Sequence, residues 1–152
     1  MEESKYYTPT IEEFYVGFEY EEYYRTLNSV TGAWNNTWNP RVYELGLYMN
    51  YENESEIPEY LSKGEIRVKY LDIEDIESFG LRYNEVHNYW YTFIGQAESI
   101  ELYYDPSYHK VKIIYEDQTD EYSKRSFKFH GVIKNKSELK KLLQQLNIVK
   151  NG

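Results

Sequence analysis

The sequence has no cysteine, no long apolar run and only four prolines. The absence of cysteine excludes disulfides, thiolate zinc sites and a cysteine nucleophile. No apolar stretch approaches the roughly 20 residues of a membrane helix, and the start Met1-Glu2-Glu3 has the wrong charge for a signal peptide. A chain of 152 residues buries about 68–70% of its unfolded surface on folding, so it needs no covalent staple. We expect one soluble, cytoplasmic domain, with two lobes (residues 1–70 and 71–150) as the alternative organisation.

Catalytic signatures are missing as well. The sequence contains no P-loop, no G-x-G-x-x-G, no G-x-S-x-G and no H-E-x-x-H. His87, His109 and His130 stand alone, without the spacing of metal ligands. The sequence therefore favours a non-catalytic protein that has no metal and no cofactor. A small nucleotide or phosphodiester hydrolase remains an alternative if these histidines converge in space.

Charge is distributed unevenly around a net value of −9. Residues 1–62 hold 12 Asp/Glu against 3 Lys/Arg, residues 63–122 hold 13 against 6, and residues 123–152 hold 1 against 8. An acidic body argues against duplex nucleic acid as a partner, because Lys/Arg contacts to phosphate dominate that affinity. It is compatible with an acidic mimic that occupies a nucleic-acid-binding enzyme. The acids that could form such a surface are Glu12, Glu13, Glu19, Glu21 and Glu22.

Tyrosine is the most unusual component: 19 residues, within an aromatic content of 18%. Rings favour strands and recognition surfaces and can fill a core, so we reject disorder despite a mean hydropathy of −0.81. The ring-rich opening stretch TPTIEEFYVGFEYEEYY (8–24) begins with Thr10 and Glu13 at capping-box spacing. Gly17 then ends this turn, and a strand with period two starts at Phe18. The many rings are also compatible with a homodimer.

Period-two alternation and turn signals predict a largely antiparallel sheet. The first predicted strand starts at Phe18. The other predicted strands cover residues 43–51, 65–71, 81–85, 88–94, 99–104, 109–116 and 126–133. Residues 26–40 are predicted as a loop, and residues 52–63 as a polar connection. Asp72 caps a predicted short helix with Ile73, Ile76 and Phe79 on one side, and Gly80 closes it.

A C-terminal helix follows the strands in the prediction. Asn135 and Glu138 have capping-box spacing. An apolar stripe at helical spacing comes next, formed by Leu139, Leu142, Leu143 and Leu146. We expect an α+β fold: a twisted antiparallel sheet with a short middle helix and an amphipathic C-terminal helix packed on one face.

Three blocks of the sequence carry a resemblance: YTPTIEEFYVGFEYE (7–21), RVKYLDIEDIESFG (67–80) and GVIKNKSELKKLLQQLNI (131–148). Together they resemble a family of small bacteriophage and prophage proteins of gut bacteria to which no activity is assigned. The resemblance implies an accessory protein that works in the cytoplasm of the bacterial host. For such a protein it suggests counter-defence, either by sequestering a nucleotide-type signal or by masking a host defence protein.

The strongest candidate site is a pair of indoles in the predicted Asn-rich loop. Trp34 and Trp38 are flanked by Arg25 and Arg41, and a ring beside a guanidinium can stack a base and hold a phosphate. Burial of both indoles beneath the loop is the alternative. The segment HNYWYTF (87–93) is a second aromatic cluster, predicted as a strand with rings on both faces. Such a strand is central in its sheet, or one of its faces belongs to an interface.

Overall fold

The computed structural model describes residues 4–44 and 51–150. The chain divides into two compact units, Met1–Tyr70 and Leu71–Gly152. Each unit contains an antiparallel sheet and at least one helix. The α+β prediction is confirmed. Among the described residues, no helix has the length and apolar character needed to cross a membrane.

The first unit holds a four-stranded sheet. Its strands are β1 (Tyr6–Tyr7), β2 (Glu19–Leu27), β3 (Trp34–Val42) and β4 (Ile66–Lys69), in the order β1-β4-β2-β3. A short 3₁₀ helix, Ile11–Glu13, precedes β2, and helix α1 (Tyr51–Ser62) precedes β4.

The ring-rich opening stretch forms much of the core of the first unit. Phe18 is fully buried, with its ring centroid 4.9 Å from that of Phe14 and 5.8 Å from that of Tyr15. The backbone N–H of Thr10 donates to the Glu13 carboxylate at 2.7 Å, as the capping-box spacing predicts. The stretch is therefore a capped turn followed by a strand, and most of its rings pack inward.

Two predictions for the first unit are wrong. Residues 26–40 are not one long loop: only residues 28–33 form a turn, because β2 and β3 pair as a hairpin from Glu19↔Val42 to Leu27↔Trp34. Residues 52–63 are not an irregular connection, because α1 runs through them with Pro58 inside the helix. Of the strand predicted over 43–51, residues 45–50 lie outside the described residues, and Tyr51 begins α1.

Strand β3 tolerates proline because of the phase of its hydrogen bonds. The Tyr43 N–H donates to the Phe18 carbonyl, and the Asn28 N–H donates to the Ala33 carbonyl, both at 2.8 Å. In an antiparallel ladder this phase turns the backbone nitrogen of Pro40 away from β2. Pro40 therefore breaks no bond of the ladder, and it removes one donor from the outer edge of the sheet.

The second unit holds a five-stranded sheet with consecutive strands as neighbours. The strands are β5 (Arg82–Asn84), β6 (Tyr89–Phe93), β7 (Glu98–Asp105), β8 (Lys110–Asp117) and β9 (Lys124–Val132). Helix α2 (Ile73–Glu77) precedes them and α3 (Lys136–Gln145) follows them. All five strands were predicted, with bounds that differ by one or two residues.

Helix α3 covers one face of this sheet. Leu139 and Leu143 are fully buried and join one apolar cluster with Leu102 and Ile113 from the central strands. The Asn135 side chain accepts from the Glu138 N–H at 2.9 Å, as predicted. The Glu138 carboxylate accepts a hydrogen bond at 2.6 Å from the N–H of Lys134. The capping box predicts the N–H of Asn135, the next residue, as the donor. This bond fixes the chain where it leaves the sheet and enters the helix.

Helix α2 has the predicted cap but only part of the predicted buried side. The Asp72 side chain accepts from the Asp75 N–H at 2.9 Å, and Ile76 is fully buried. Ile73 was expected on the same side as Ile76, but it is exposed. In a helix of five residues, the first residue lies beside the cap and can point away from the core.

Candidate functional site

Cross-strand pairing gathers rings and guanidinium groups on one face of the first sheet. Direct partners in an antiparallel pair share a face, so Tyr23 lies beside Trp38 and Leu27 beside Trp34. The core residue Phe18 lies on the other face, because side chains alternate along β2. We call the ring-bearing side the outer face; its rings and guanidinium groups are those of Tyr6, Tyr23, Arg25, Trp34, Trp38 and Arg67.

Trp34 and Arg25 form the exposed end of the outer face. The Arg25 guanidinium carbon lies 4.9 Å from the centroid of the Trp34 ring. The Trp34 side chain is 55% exposed and that of its cross-strand partner Leu27 is 54% exposed. Burial of this indole beneath a loop is therefore wrong. An exposed indole, an exposed leucine and a guanidinium meet at one end of the hairpin.

The turn between β2 and β3 presents a further apolar side chain. The Asn28 side chain accepts hydrogen bonds from the N–H groups of Val30 and Thr31, at 2.9 and 3.2 Å. Gly32 adopts a φ of +66°, a conformation that favours glycine. In this hydrogen-bonded turn, Val30 is 92% exposed to solvent. The hairpin tip, comprising Arg25, Leu27, Val30 and Trp34, is thus both apolar and ordered by local hydrogen bonds.

Arg67 organises the other end of the outer face. Its guanidinium carbon lies 3.7 Å from the Tyr6 ring centroid and 4.2 Å from that of Trp38. Its Nε donates to the Glu21 carboxylate at 2.5 Å. Trp38 also packs against Tyr23, with centroids 5.2 Å apart. The Trp38 indole is therefore half-buried in a stack within the sheet, and it is less available to a partner than Trp34.

Arg41 does not join the other three candidate residues. It pairs with Tyr20 across the hairpin, on the face opposite to Trp34 and Trp38. There its Nε donates to the Glu22 carboxylate at 3.2 Å. Burial, followed by the nearby Glu22 charge, raises the pKa of the Tyr20 hydroxyl. The structure brings Arg25 together with Trp34, and it brings Arg67, which the sequence analysis did not single out, together with Trp38.

The acids proposed as a mimic of nucleic acid do not form an open anionic array. Glu21 bonds to Arg67, and Glu22 bonds to Arg41. Glu13 accepts from the Tyr7 hydroxyl at 2.8 Å as well as from the backbone of Thr10. Three of the five candidate carboxylates are thus engaged within the unit, which weakens the electrostatic basis for mimicry.

The three histidines lie at different places in the second unit. His87 stacks on Tyr89 beside β6, with ring centroids 6.0 Å apart. His109 occupies the turn before β8 with a φ of +51°, and His130 on β9 is the cross-strand partner of Lys112. Across residues 4–44 and 51–150, no group of three or more His, Asp or Glu side chains is arranged to hold a metal ion.

The second aromatic cluster is a two-faced strand, as predicted. On β6, Trp90 is buried in the cluster that α3 covers, whereas Tyr89, Tyr91 and Phe93 alternate onto the other face. Phe93 is 70% exposed. Strand β6 is an internal strand, flanked by β5 and β7.

No protein-family model, curated protein or solved structure matches the chain.

Proposed function

We propose that this chain is a non-catalytic binding protein that docks onto a protein partner through the hairpin tip. The observation that carries the proposal is the pairing of exposed Trp34 with Arg25, beside Leu27 and Val30. Tryptophan and arginine are, with tyrosine, the residue types enriched at the energetic centres of protein interfaces. Trp34 and Arg25 are two such side chains, and the exposed apolar side chains of the same ordered tip extend the surface that could enter an apolar pocket of a partner.

A protein partner fits this tip better than a nucleotide-type signal does. Small ligands bind in concave sites that bury about 70–90% of their surface. Trp34 instead projects from an open sheet face, and the Arg25 guanidinium already stacks on its ring. A base could stack on the free side of this indole, but the first unit offers it little enclosure. Sequestering a nucleotide is thus the second candidate.

The biological role follows from the resemblance of three sequence blocks to bacteriophage and prophage proteins. For a phage protein in a bacterial cytoplasm, the partner we propose is a host defence protein, masked by the bound hairpin. This step rests on the resemblance, whereas the docking mode rests on the hairpin tip.

Capture from bacterial lysate with matched variants tests the proposal. Wild-type protein and Thr37→Ala should retain the same protein, and Trp34→Ala should lose it. Thr37 is the control because it is exposed on the opposite face of the same hairpin. Loss of an interface centre costs about 2 kcal/mol or more, roughly a 30-fold loss of affinity for the purified partner.

Two results would contradict the proposal. The first is a melting temperature for Trp34→Ala that falls by more than a few degrees, which would make the indole structural. The second is a nucleotide found by native mass spectrometry on the wild type and absent from Trp34→Ala. That second result would assign the tip to a small ligand instead.

A further inference from the structure

The second sheet has one face that α2 and α3 do not cover. Those helices pack onto the side that carries Leu102 and Ile113. Side chains alternate along each strand, and direct cross-strand partners share a face. The uncovered face therefore presents rings and cations from four neighbouring strands. We call it the ring platform; its main side chains are Arg82, Tyr89, Tyr91, Phe93, Tyr103 and Lys112.

Four rings lie next to one another on β6 and β7. The ring centroids of Tyr89 and Tyr91 are 6.4 Å apart, and those of Tyr91 and Phe93 are 6.0 Å apart. Tyr103 lies 5.3 Å from Tyr89 across the strands. Burial raises the pKa of both Tyr89 and Tyr103, so these phenols remain neutral at physiological pH. The result is a row of uncharged aromatic rings, and the ring at its end, Phe93, is exposed to solvent.

Cationic side chains flank this row of rings on both sides. Arg82 on the edge strand β5 is the direct partner of Tyr91. On the other side, the Lys112 ammonium lies 4.3 Å from the Tyr103 ring centroid, and Lys112 is the direct partner of Tyr103. A chain that laid planar groups on the rings could place anionic groups against Arg82 and Lys112 at the same time.

Two carboxylates on the platform, those of Glu101 and Glu116, are hydrogen-bonded to neighbouring side chains. The Glu101 side chain is only 7% exposed, and it accepts from Arg125 Nη2 at 2.5 Å and from the Tyr103 hydroxyl at 3.0 Å. This carboxylate raises the pKa of the Arg125 guanidinium, which therefore stays charged. Glu116 accepts from the Ser123 hydroxyl at 2.6 Å.

Charge on the platform differs in sign from charge on the whole unit. Residues 71–152 hold 11 Lys/Arg against 13 Asp/Glu, a balance of −2. On the platform face, four cations (Arg82, Lys110, Lys112 and Arg125) oppose three carboxylates (Glu101, Asp105 and Glu116), a balance of +1. Positive charge is thus concentrated where the rings are.

We propose that the ring platform binds single-stranded nucleic acid. Bases of a single strand are free to stack on aromatic side chains, each worth about 1–3 kcal/mol, while its phosphates meet the flanking cations. A duplex offers no free base faces, and the acidic body of the chain repels it. Pairing of this face with the same face of a second copy would bring together two surfaces whose net charge has the same sign. The proposal is independent of the function proposed for the hairpin tip.

Fluorescence anisotropy with labelled oligothymidine and oligouridine of about 12 nucleotides tests this inference. We expect saturable binding at low salt and no matching affinity for a duplex of the same length. Phe93→Ala should weaken binding about 5- to 150-fold, the equivalent of one lost base stack. Tyr122→Ala is the control and should bind as the wild type does, because its ring is 78% exposed in the loop before β9.

The salt dependence tests the role of the cations. Lys112→Gln should lower the affinity and reduce the slope of log K against log salt by about 0.7, the value for one phosphate contact on a single strand. Lys140→Gln, on the exposed side of α3, should leave the slope unchanged. Phe93 is exposed, so its truncation should not unfold the sheet; a circular dichroism melt of each variant checks this.

Three results would overturn the proposal. One is the absence of saturable binding of either single strand to the wild type at low salt. Another is equal affinity of wild type and Phe93→Ala for the oligonucleotides. The third is a dimer, seen by sedimentation, that Phe93→Ala converts to monomer while oligonucleotide binding stays unchanged. That result would assign the platform to a second copy of the chain.

Discussion

The two units stabilise similar antiparallel sheets with different side chains. In the second unit, twelve buried residues form one apolar cluster, of which all but Trp90 are aliphatic. Among the first-unit residues whose burial the structure describes, the buried apolar residues are only Pro9, Phe18, Ile66 and Val68. Rings of intermediate exposure surround Phe18 there. The first sheet depends on a few ring contacts, whereas the second depends on a continuous aliphatic layer.

This difference affects what each sheet can expose. The second sheet buries one face under helices and leaves a mixed face of rings and cations on the other. The first sheet has few apolar residues to bury, so rings and guanidinium groups also contribute to its stability on the outer face. Arg67 is the clearest case, because the same side chain contacts Tyr6, Trp38 and Glu21.

The largest predicted effect is the response of each unit to one truncated core residue. Phe18→Ala should cost the first unit about 3–5 kcal/mol, and Leu143→Ala should cost the second about 2–5 kcal/mol, the usual penalties for buried cavities. Hydrogen exchange followed by mass spectrometry can report each unit separately. Protection should fall in β2 and β4 for Phe18→Ala, and in β7 and β8 for Leu143→Ala.

The same measurement tests whether the two units unfold independently. Loss of protection confined to the unit that carries the substitution would support two separate cores. Equal loss across both sheets in either variant would show a single cooperative core, and the comparison between the units would then fail. Thr37→Ala is the matched control, since its side chain is exposed on β3.

A smaller effect is predicted for the stack around Arg67. Arg67→Lys keeps the charge but loses the planar guanidinium between two rings, which we expect to cost about 1–2 kcal/mol. Arg41→Lys is the control, because the Arg41–Glu22 pair is exposed on the arginine side and such pairs contribute about 0–1 kcal/mol. Urea unfolding of both variants, followed by tryptophan fluorescence, measures the difference. Equal losses in the two variants would mean that the stack adds nothing to the ion pair.

The sequence predicts the second unit better than the first, and the reason is visible in particular segments. Strands β7 and β8 contain aliphatic residues at alternate positions, such as Ile100 and Leu102 or Val111 and Ile113, and the alternation predicts them directly. Strand β3 has two asparagines between its indoles and Asn39-Pro40 after them, so its composition predicts a loop. It is a strand because the backbone of β2 offers it a complete ladder of partners.

The candidate site shows the same limit. Closeness in the sequence was enough to group Arg25 with Trp34, and the turn of the β2–β3 hairpin brings the two side chains together. Arg41 is close to Trp38 in sequence, but the two are three positions apart along one strand, so their side chains face opposite sides. Contacts of Arg67 with Tyr6 and Trp38 join three distant segments, and only the strand order β1-β4-β2-β3 brings them together. Pairing of Glu101 with Arg125 likewise depends on strand register and on a β-bulge at Ile113/Ile114.

The smallest predicted effect concerns the titration of Tyr104, a half-buried tyrosine of the second unit. The Tyr104 hydroxyl donates to the Leu71 carbonyl at 2.6 Å. Burial, and then the charges of Asp72, Asp75 and Asp105, raise the pKa of this phenol from 10.0 to about 12. The folded state therefore prefers the neutral phenol, and the stability from this preference is complete below pH 10 and is lost as pH rises towards about 12.

Tyr104→Phe lacks this titration and should cost about 0.5–1.5 kcal/mol at neutral pH through the lost hydrogen bond. The difference in unfolding free energy between wild type and Tyr104→Phe, measured in urea across this pH range, should shrink as pH rises. Tyr24→Phe, at an exposed ring of the first unit, should show no such convergence, and a wild-type advantage that stays constant to the highest pH would refute the assignment.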